Sequence, residues 1–237
     1  MRNLRAIYNK GVRLGKINRV EEDLFYRVYT GVYATPKRSA REEDIAKVVK
    51  WLEKEENKES SQKGSPLVFS SYYFLFCFYA RGMSYVDMAY LKKTDIREDR
   101  ICYRRRKTGQ LLEIKLTPEM KRILSFFRVF VKDSMYLFPI VCREGEERLQ
   151  YESGLRLQNR RLNQLSARIG LTMSLTTHVA RHTWATIAKK ERISISVISE
   201  SLGHRSEKTT AIYLASFDRH ILDRANRKVA HSIKKVS

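Results

Sequence analysis

Leu4, Ile7, Tyr8, Val12 and Leu14 recur close to every 3.6 residues, so residues 2–15 read as a short basic amphipathic helix. A helix of that length does not bury its apolar stripe alone and needs a surface to pack on. The irregular stretch after it closes on Thr35-Pro36-Lys37-Arg38 and has the character of a linker. Ser39 then stands before residues 40–54, where Glu42, Glu43 and Asp44 come early and lysines come late. A serine cap and charges matched to the helix dipole predict a helix there. Residues 55–65 are a polar loop, and residues 66–80 are apolar nearly all round, the pattern of a helix at the centre of a core. Gly82 interrupts that run, and Ser84 with Asp87 suits a capping box for a helix reaching about Lys92.

The period then changes. Residues 101–106 and 111–116 are short strand-like runs around Lys107-Thr108-Gly109-Gln110, a hairpin with glycine in its turn. Thr117-Pro118-Glu119 opens another helix, with proline in the first turn where its missing N–H costs nothing. Helical patterns continue over 150–169, 177–192, 194–202, 206–214 and 217–233. The sum is a mostly α domain with one small antiparallel sheet, an α+β class, over residues 35–237, preceded by a helix and linker over 1–34.

Composition narrows the partner. Hydrophobic residues make up 43% of the 237, enough for a packed core, and the longest apolar run, 67–80, is too short to span a bilayer. Lys and Arg number 47 against 26 Asp and Glu, a net charge of +21. Such an excess opposes compaction by self-repulsion and suits a polyanionic partner, nucleic acid first and no membrane. Cys77, Cys102 and Cys142 are widely spaced without a CxxC pair, which fits a reducing compartment. The N-terminal residues lack the apolar centre of a secretory signal, so the expected location is the cytoplasm.

Three stretches carry candidate chemistry. In Thr177-His178-Val179-Ala180-Arg181, His178 and Arg181 lie three apart on one helix face. A neutral imidazole beside a guanidinium suits a phosphodiester, because arginine forks onto nonbridging oxygens and histidine moves a proton near pH 7. The plain alternative is a capping histidine and a surface arginine on a basic protein. In Leu202-Gly203-His204, glycine ends a helix in a left-handed cap, and Tyr213 follows nine residues after the histidine. Tyr213 alone reads more readily as a half-buried core tyrosine, one of 13 tyrosines in the chain. At the hairpin tip, Lys107 can reach a groove and protonate a leaving alkoxide, or simply touch phosphates. A non-catalytic reading also exists: residues 193–213 can form a helix-turn-helix with Gly203 in the turn and 206–214 as recognition helix. The acids sit in mixed-charge runs such as Glu53-Lys54-Glu55-Glu56, the pattern of a solvated surface, so no metal or other cofactor is expected.

Taken in order, Arg81, Lys107, His178-x-x-Arg181, Leu202-Gly203-His204 and Tyr213 resemble the signature of the tyrosine recombinases, the phage integrase family. Ala180-Arg181-His182-Thr183-Trp184-Ala185-Thr186 is similar to one of its motifs, residues 198–213 to its closing block, and Arg106-Lys107-Thr108-Gly109 to its lysine turn. The resemblance covers roughly residues 36–232. It implies the DNA breaking–rejoining fold and cleavage of double-stranded DNA by Tyr213 through a 3′-phosphotyrosine, without cofactor. It further implies His178 as base, Lys107 as acid, Arg181 and Arg81 on the phosphate, and His204 hydrogen-bonded to it. Ser84 stands where the family carries its first arginine, as in a subgroup of integrases from conjugative elements. Arg81, three residues earlier, is the expected substitute, and Asp87 matches the carboxylate that supports the site. Residues 2–15 resemble the last helix of the family's core-binding domain, so most of that DNA clamp is expected to be missing. The family acts as a homotetramer on two duplexes, sometimes with accessory DNA-bending proteins, whereas a chain so shortened is expected to be a monomer in free solution.

Overall fold

The computed structural model describes residues 2–20, 24–26, 28, 39–57 and 65–214. The chain divides into two compact units, Met1–Lys37 and Arg38–Ser237. In the first, α1 (Arg2–Arg13) is followed by a turn back on itself. The Val20 amide donates to the Tyr8 hydroxyl at 3.0 Å, and the Tyr8 and Phe25 rings lie 6.1 Å apart. Leu4 and Ile7 remain exposed.

The second unit is built around α3 (Pro66–Tyr79), apolar on every side as its sequence demands. Around it pack α2 (Glu42–Glu56), α5 (Pro118–Phe127), α6 (Glu147–Arg168) and α7 (Thr177–Lys190). The core is rich in aromatic rings. Tyr73 stacks on Phe127 at 4.9 Å, and Phe69 and Phe138 meet Phe127 edge-on at 5.2 Å each. A polar bridge from α6 into α3 is satisfied, the buried Gln158 amide donating to the Ser70 carbonyl at 2.9 Å.

The helix α4 (Tyr85–Ala89) leads into an antiparallel sheet of β1 (Ile96–Arg97), β2 (Arg100–Arg104) and β3 (Leu111–Lys115), in that order. Ile101 pairs with Ile114 and Tyr103 with Leu112, and these four face inward. Two short helices, α8 (Ile195–Ser201) and α9 (Glu207–Tyr213), follow α7. Ile198, Leu202 and Leu214 form a small separate core with Ala185 and Ala188 of α7.

The mostly helical class with one small antiparallel sheet is what the periodicity predicts. Two local readings are corrected, and one strand is added. The α2 helix begins at Glu42 and not at residue 40 with a Ser39 cap, because the Ala40 amide is drawn to the Thr183 hydroxyl of α7 at 2.9 Å. The Asp44 carboxylate then serves the start of the helix by accepting from the Arg41 amide. The α4 helix ends at Ala89, well short of Lys92, because Lys92 pairs with Tyr136 as an isolated bridge and the Lys93 amide donates to the Met135 carbonyl. Strand β1 was not legible, since two residues carry no alternation. The helix expected over 217–233 lies outside the described residues.

Phe127, fully buried, anchors the aromatic core. Phe127→Ala should lower unfolding stability by about 3–5 kcal/mol. Val129→Ala, two residues on at a 73% exposed position, should change it by less than about 0.5 kcal/mol. Equal shifts in the denaturant midpoints of the two variants would contradict this placement of the core.

Candidate active site

The site is assembled where α7, the turn after α3, the β2–β3 hairpin and the loop between α8 and α9 meet. At the head of α7, the Thr177 amide donates to Asn159 Oδ1 of α6 at 2.9 Å, which fixes where the helix starts. His178 and Arg181 follow on one face. Arg181 is buried to 6% exposure, and carbonyls hold its guanidinium: Nη1 donates to Gly82 O at 2.8 Å and Nη2 to Leu202 O at 2.5 Å. Nη2 also lies 3.1 Å from His204 Nε2.

Glycine is required at both approaches to this guanidinium and its neighbour. Gly82 has φ +68° and a Cβ there would stand 3.0 Å from the Arg181 Cα. Gly203 has φ +61° and a Cβ there would stand 3.0 Å from Arg105 Cδ and from Leu112 Cδ1. The turn between α8 and α9 is therefore pressed against the hairpin and is not the open elbow of a helix-turn-helix.

The hairpin turn is fastened on both sides. Asp87, buried at 3% exposure, accepts the Ser84 hydroxyl on Oδ2 at 2.5 Å and the Arg106 amide on Oδ1 at 2.8 Å. The Arg106 guanidinium lies 3.8 Å over the Tyr90 ring. On the other side, the Thr108 hydroxyl donates to Gly203 O at 3.2 Å, and Arg205 forks onto Thr108 O through Nε at 3.1 Å and Nη2 at 2.7 Å. Lys107 is exposed at the tip between these clasps.

The residues expected from sequence divide. The charges acting on His178 are Arg181 and Lys107, and those acting on His204 are Arg181, Arg105 and Lys107, so these five groups share one site. Arg81 adjoins Gly82, whose carbonyl accepts from Arg181. It is half-buried and sits in the left-handed region at φ +55°, an unusual conformation for a side chain larger than glycine's. Tyr213 is the last residue of α9, and its side chain lies outside what the structure describes. The backbone just beyond it is held by Lys189 of α7, whose ammonium donates to Leu214 O at 2.5 Å.

Arg105 is the site residue that sequence reading missed. It is 6% exposed, Nη1 donates to Gly203 O at 2.7 Å, and Nε stands 3.9 Å from Asp87 Oδ2. That Nε is a buried donor without a hydrogen-bond acceptor among the described residues. The signal was the strand period: Ile101 and Tyr103 point inward, and residue 105 follows in the same alternation. Among the described residues no three histidines, cysteines or carboxylates gather as metal ligands.

Electrostatics sets the protonation. Burial first, then the charges of Arg181, Arg105 and Lys107, push His204 down from 6.5 to about 4. His178, exposed at the helix head, is lowered by partial desolvation and then by Arg181 and Lys107. Both imidazoles are therefore neutral at pH 7, the form in which a histidine accepts a proton.

Comparison with known proteins gives a consistent picture. The model of the phage integrase family matches residues 42–220. Tyrosine recombinase XerA of Pyrococcus furiosus is 29% identical over 152 residues, 63% of this chain and 51% of the relative. The XerA of Saccharolobus solfataricus is 28% identical over 123 residues, 52% and 37%. The chain thus spans about half the length of these relatives or less. Among solved structures, XerA recombinase superposes with a TM-score of 0.58 at 20% identity, over 94% of this chain and 73% of that one. XerH site-specific recombinase bound to its difH substrate gives 0.60 at 19%, over 94% and 62%. A lambda integrase dimer bound to a COC′ core site gives 0.57 at 17%, over 92% and 74%. These likenesses show the fold.

The depressed His204 value has a direct consequence. Its ring signals should stay flat from pH 8 to 5 in a proton NMR titration and move only around pH 4. A folded pKa below the unfolded one means the unfolded chain takes up the proton first as pH falls. His204 should therefore subtract stability progressively from about pH 6.5 down to about 4, a slope that His204→Gln removes. A titration midpoint near 6.5 would contradict the arrangement.

Proposed function

Because the chain belongs to the phage integrase family, we propose that it cuts and rejoins double-stranded DNA at a specific site through a 3′-phosphotyrosine on Tyr213. The observation that carries this reading is the gathering of Arg181, Arg105, His178, His204 and Lys107 beside the loop that leads into α9, which ends on Tyr213. Two buried guanidiniums and a lysine outnumber Asp87, the one carboxylate beside them among the described residues, so the site is built to receive an anion.

In the proposed reaction the Tyr213 oxygen attacks phosphorus, the new P–O bond forms in line, and the bond to the 5′-oxygen breaks. The phenol's pKa near 10 requires that its proton leave as the bond forms. His178, neutral and exposed at the head of α7, takes it. Lys107 gives a proton to the departing 5′-oxygen, and the clasped hairpin holds its backbone in place for that. Arg181 neutralises charge on the nonbridging oxygens, oriented by His204. Arg105, not Arg81, supplies the second guanidinium: its backbone turn bonds to the Asp87 that Ser84 caps, which accounts for serine at the position of the family's first arginine. Attack of the freed 5′-hydroxyl on the phosphotyrosine reverses the step and reseals the strand without a nucleotide.

The chain is proposed to be a monomer in free solution, where +21 charges repel, and to assemble as a tetramer on two duplexes whose phosphates screen that charge. The test is covalency. On a nicked duplex carrying its site, the parent should leave a protein–DNA adduct that survives denaturant. Tyr213→Phe should leave none while binding the duplex with nearly unchanged affinity. An adduct from the Phe variant would move the nucleophile elsewhere, and no adduct from the parent would favour a purely DNA-binding role.

A further inference from the structure

The His204 ring lies between two partners of different chemistry. Its Nε2 is 3.1 Å from Arg181 Nη2, and its Nδ1 is 2.8 Å from the Thr210 hydroxyl oxygen. A guanidinium has donors only, so the Nε2 facing it must present a lone pair. A neutral imidazole with a bare Nε2 carries its proton on Nδ1, and Thr210 Oγ1 is then the acceptor. Thr210 is fully buried, on α9, one helical turn ahead of Tyr213.

We infer that Thr210 is a positioning residue of the active site: by accepting the Nδ1 proton it fixes the tautomer in which His204 turns its Nε2 lone pair onto Arg181. The low proton affinity of His204 agrees with this, since a second ring proton would point at the guanidinium. The chain of contacts runs from the helix that ends on Tyr213, through Thr210 and His204, to the guanidinium held by Gly82 and Leu202. Thr210 therefore links the placement of α9 to the orientation of Arg181. If α9 moves away, Nδ1 loses its acceptor, the tautomer is no longer fixed, and Arg181 loses the lone pair that aims it. In this state His204 is an acceptor for arginine, not a donor to phosphate. Its catalytic consequence rests on the reading of Arg181 given above; the tautomer does not.

The test uses the whole chain labelled with nitrogen-15 histidine, with the His204 signals identified by their loss in His204→Gln. At pH 7 the parent should show a protonated, pyrrole-type Nδ1 and a bare, pyridine-type Nε2. Thr210→Val keeps the shape and removes the acceptor. It should mix the tautomers and slow covalent adduct formation on the order of tenfold, the worth of one neutral hydrogen bond. Thr210→Ser, which restores a hydroxyl and keeps a measurable site even if the valine variant folds poorly, should return both readouts towards the parent. A protonated Nε2 in the parent overturns the inference, as does a Thr210→Val protein with the parental tautomer, whether or not it is slower. A shifted tautomer with parental adduct formation overturns the positioning role. Arg181→Lys, run alongside, separates that failure from the failure of the functional reading, which is at fault only if this variant also cleaves at the parental rate.

Discussion

Among the described residues two guanidinium ions, those of Arg105 and Arg181, are taken out of water, and the arrangement around them follows from satisfying their donors. Stripping water from an ion costs several kcal/mol, so such a group stays inside only where acceptors are already placed for it. Here the acceptors are mostly backbone. Gly82 and Leu202 carbonyls serve Arg181, and the Gly203 carbonyl serves Arg105. Carbonyl dipoles hold a guanidinium without neutralising it, unlike carboxylates. The site thus keeps its positive charge, and the Asp87 carboxylate near Arg105, at 3.9 Å, is too distant for a strong ion pair.

That choice explains why two glycines stand where they do. Carbonyls reach a buried side chain only if the backbone that carries them comes close, and at residues 82 and 203 a Cβ would press on the arginine it approaches. The loop at 202–204 is the junction of the site: its three residues touch Arg181, Arg105, Thr108 and Thr210 in turn. Through it the hairpin bearing Lys107, the helix bearing His178 and the helix ending on Tyr213 are brought into one register, though they are far apart in the chain.

Much of this was legible in the residues. The all-round apolar run of α3, the proline in the first turn of α5 and the glycine turn of the hairpin each obey a local rule, and each forms as expected. His178 and Arg181 share a face because helical spacing dictates it. What sequence could not give was set by contacts across long separations. The start of α2 is decided by Thr183, 143 residues away, and the end of α4 by strand-like pairing with Tyr136. Arg81 is the substitute for Ser84 that nearness in sequence suggests, and the role proposed above for Arg105 comes from the structure. The pleat of β2 continues Ile101 and Tyr103 inward to Arg105, while the chain at Arg81 turns through a left-handed residue. A basic residue continuing the buried face of a strand was the cue, and it was hidden inside a run of four cations, Arg104 to Lys107.

The central claim is that Arg105 holds the place the chain gives up at Ser84. The most direct test is the rate of covalent adduct formation on a nicked duplex, at saturating protein, for Arg105→Ala and Arg81→Ala, with circular dichroism checking that each variant is folded. Loss of a guanidinium that stabilises the transition state costs on the order of 3 kcal/mol, or about a hundredfold in rate. The account predicts that loss for Arg105→Ala and a near-parental rate for Arg81→Ala. A folded Arg105→Ala protein that cleaves as fast as the parent, beside an Arg81→Ala protein that does not, would contradict it.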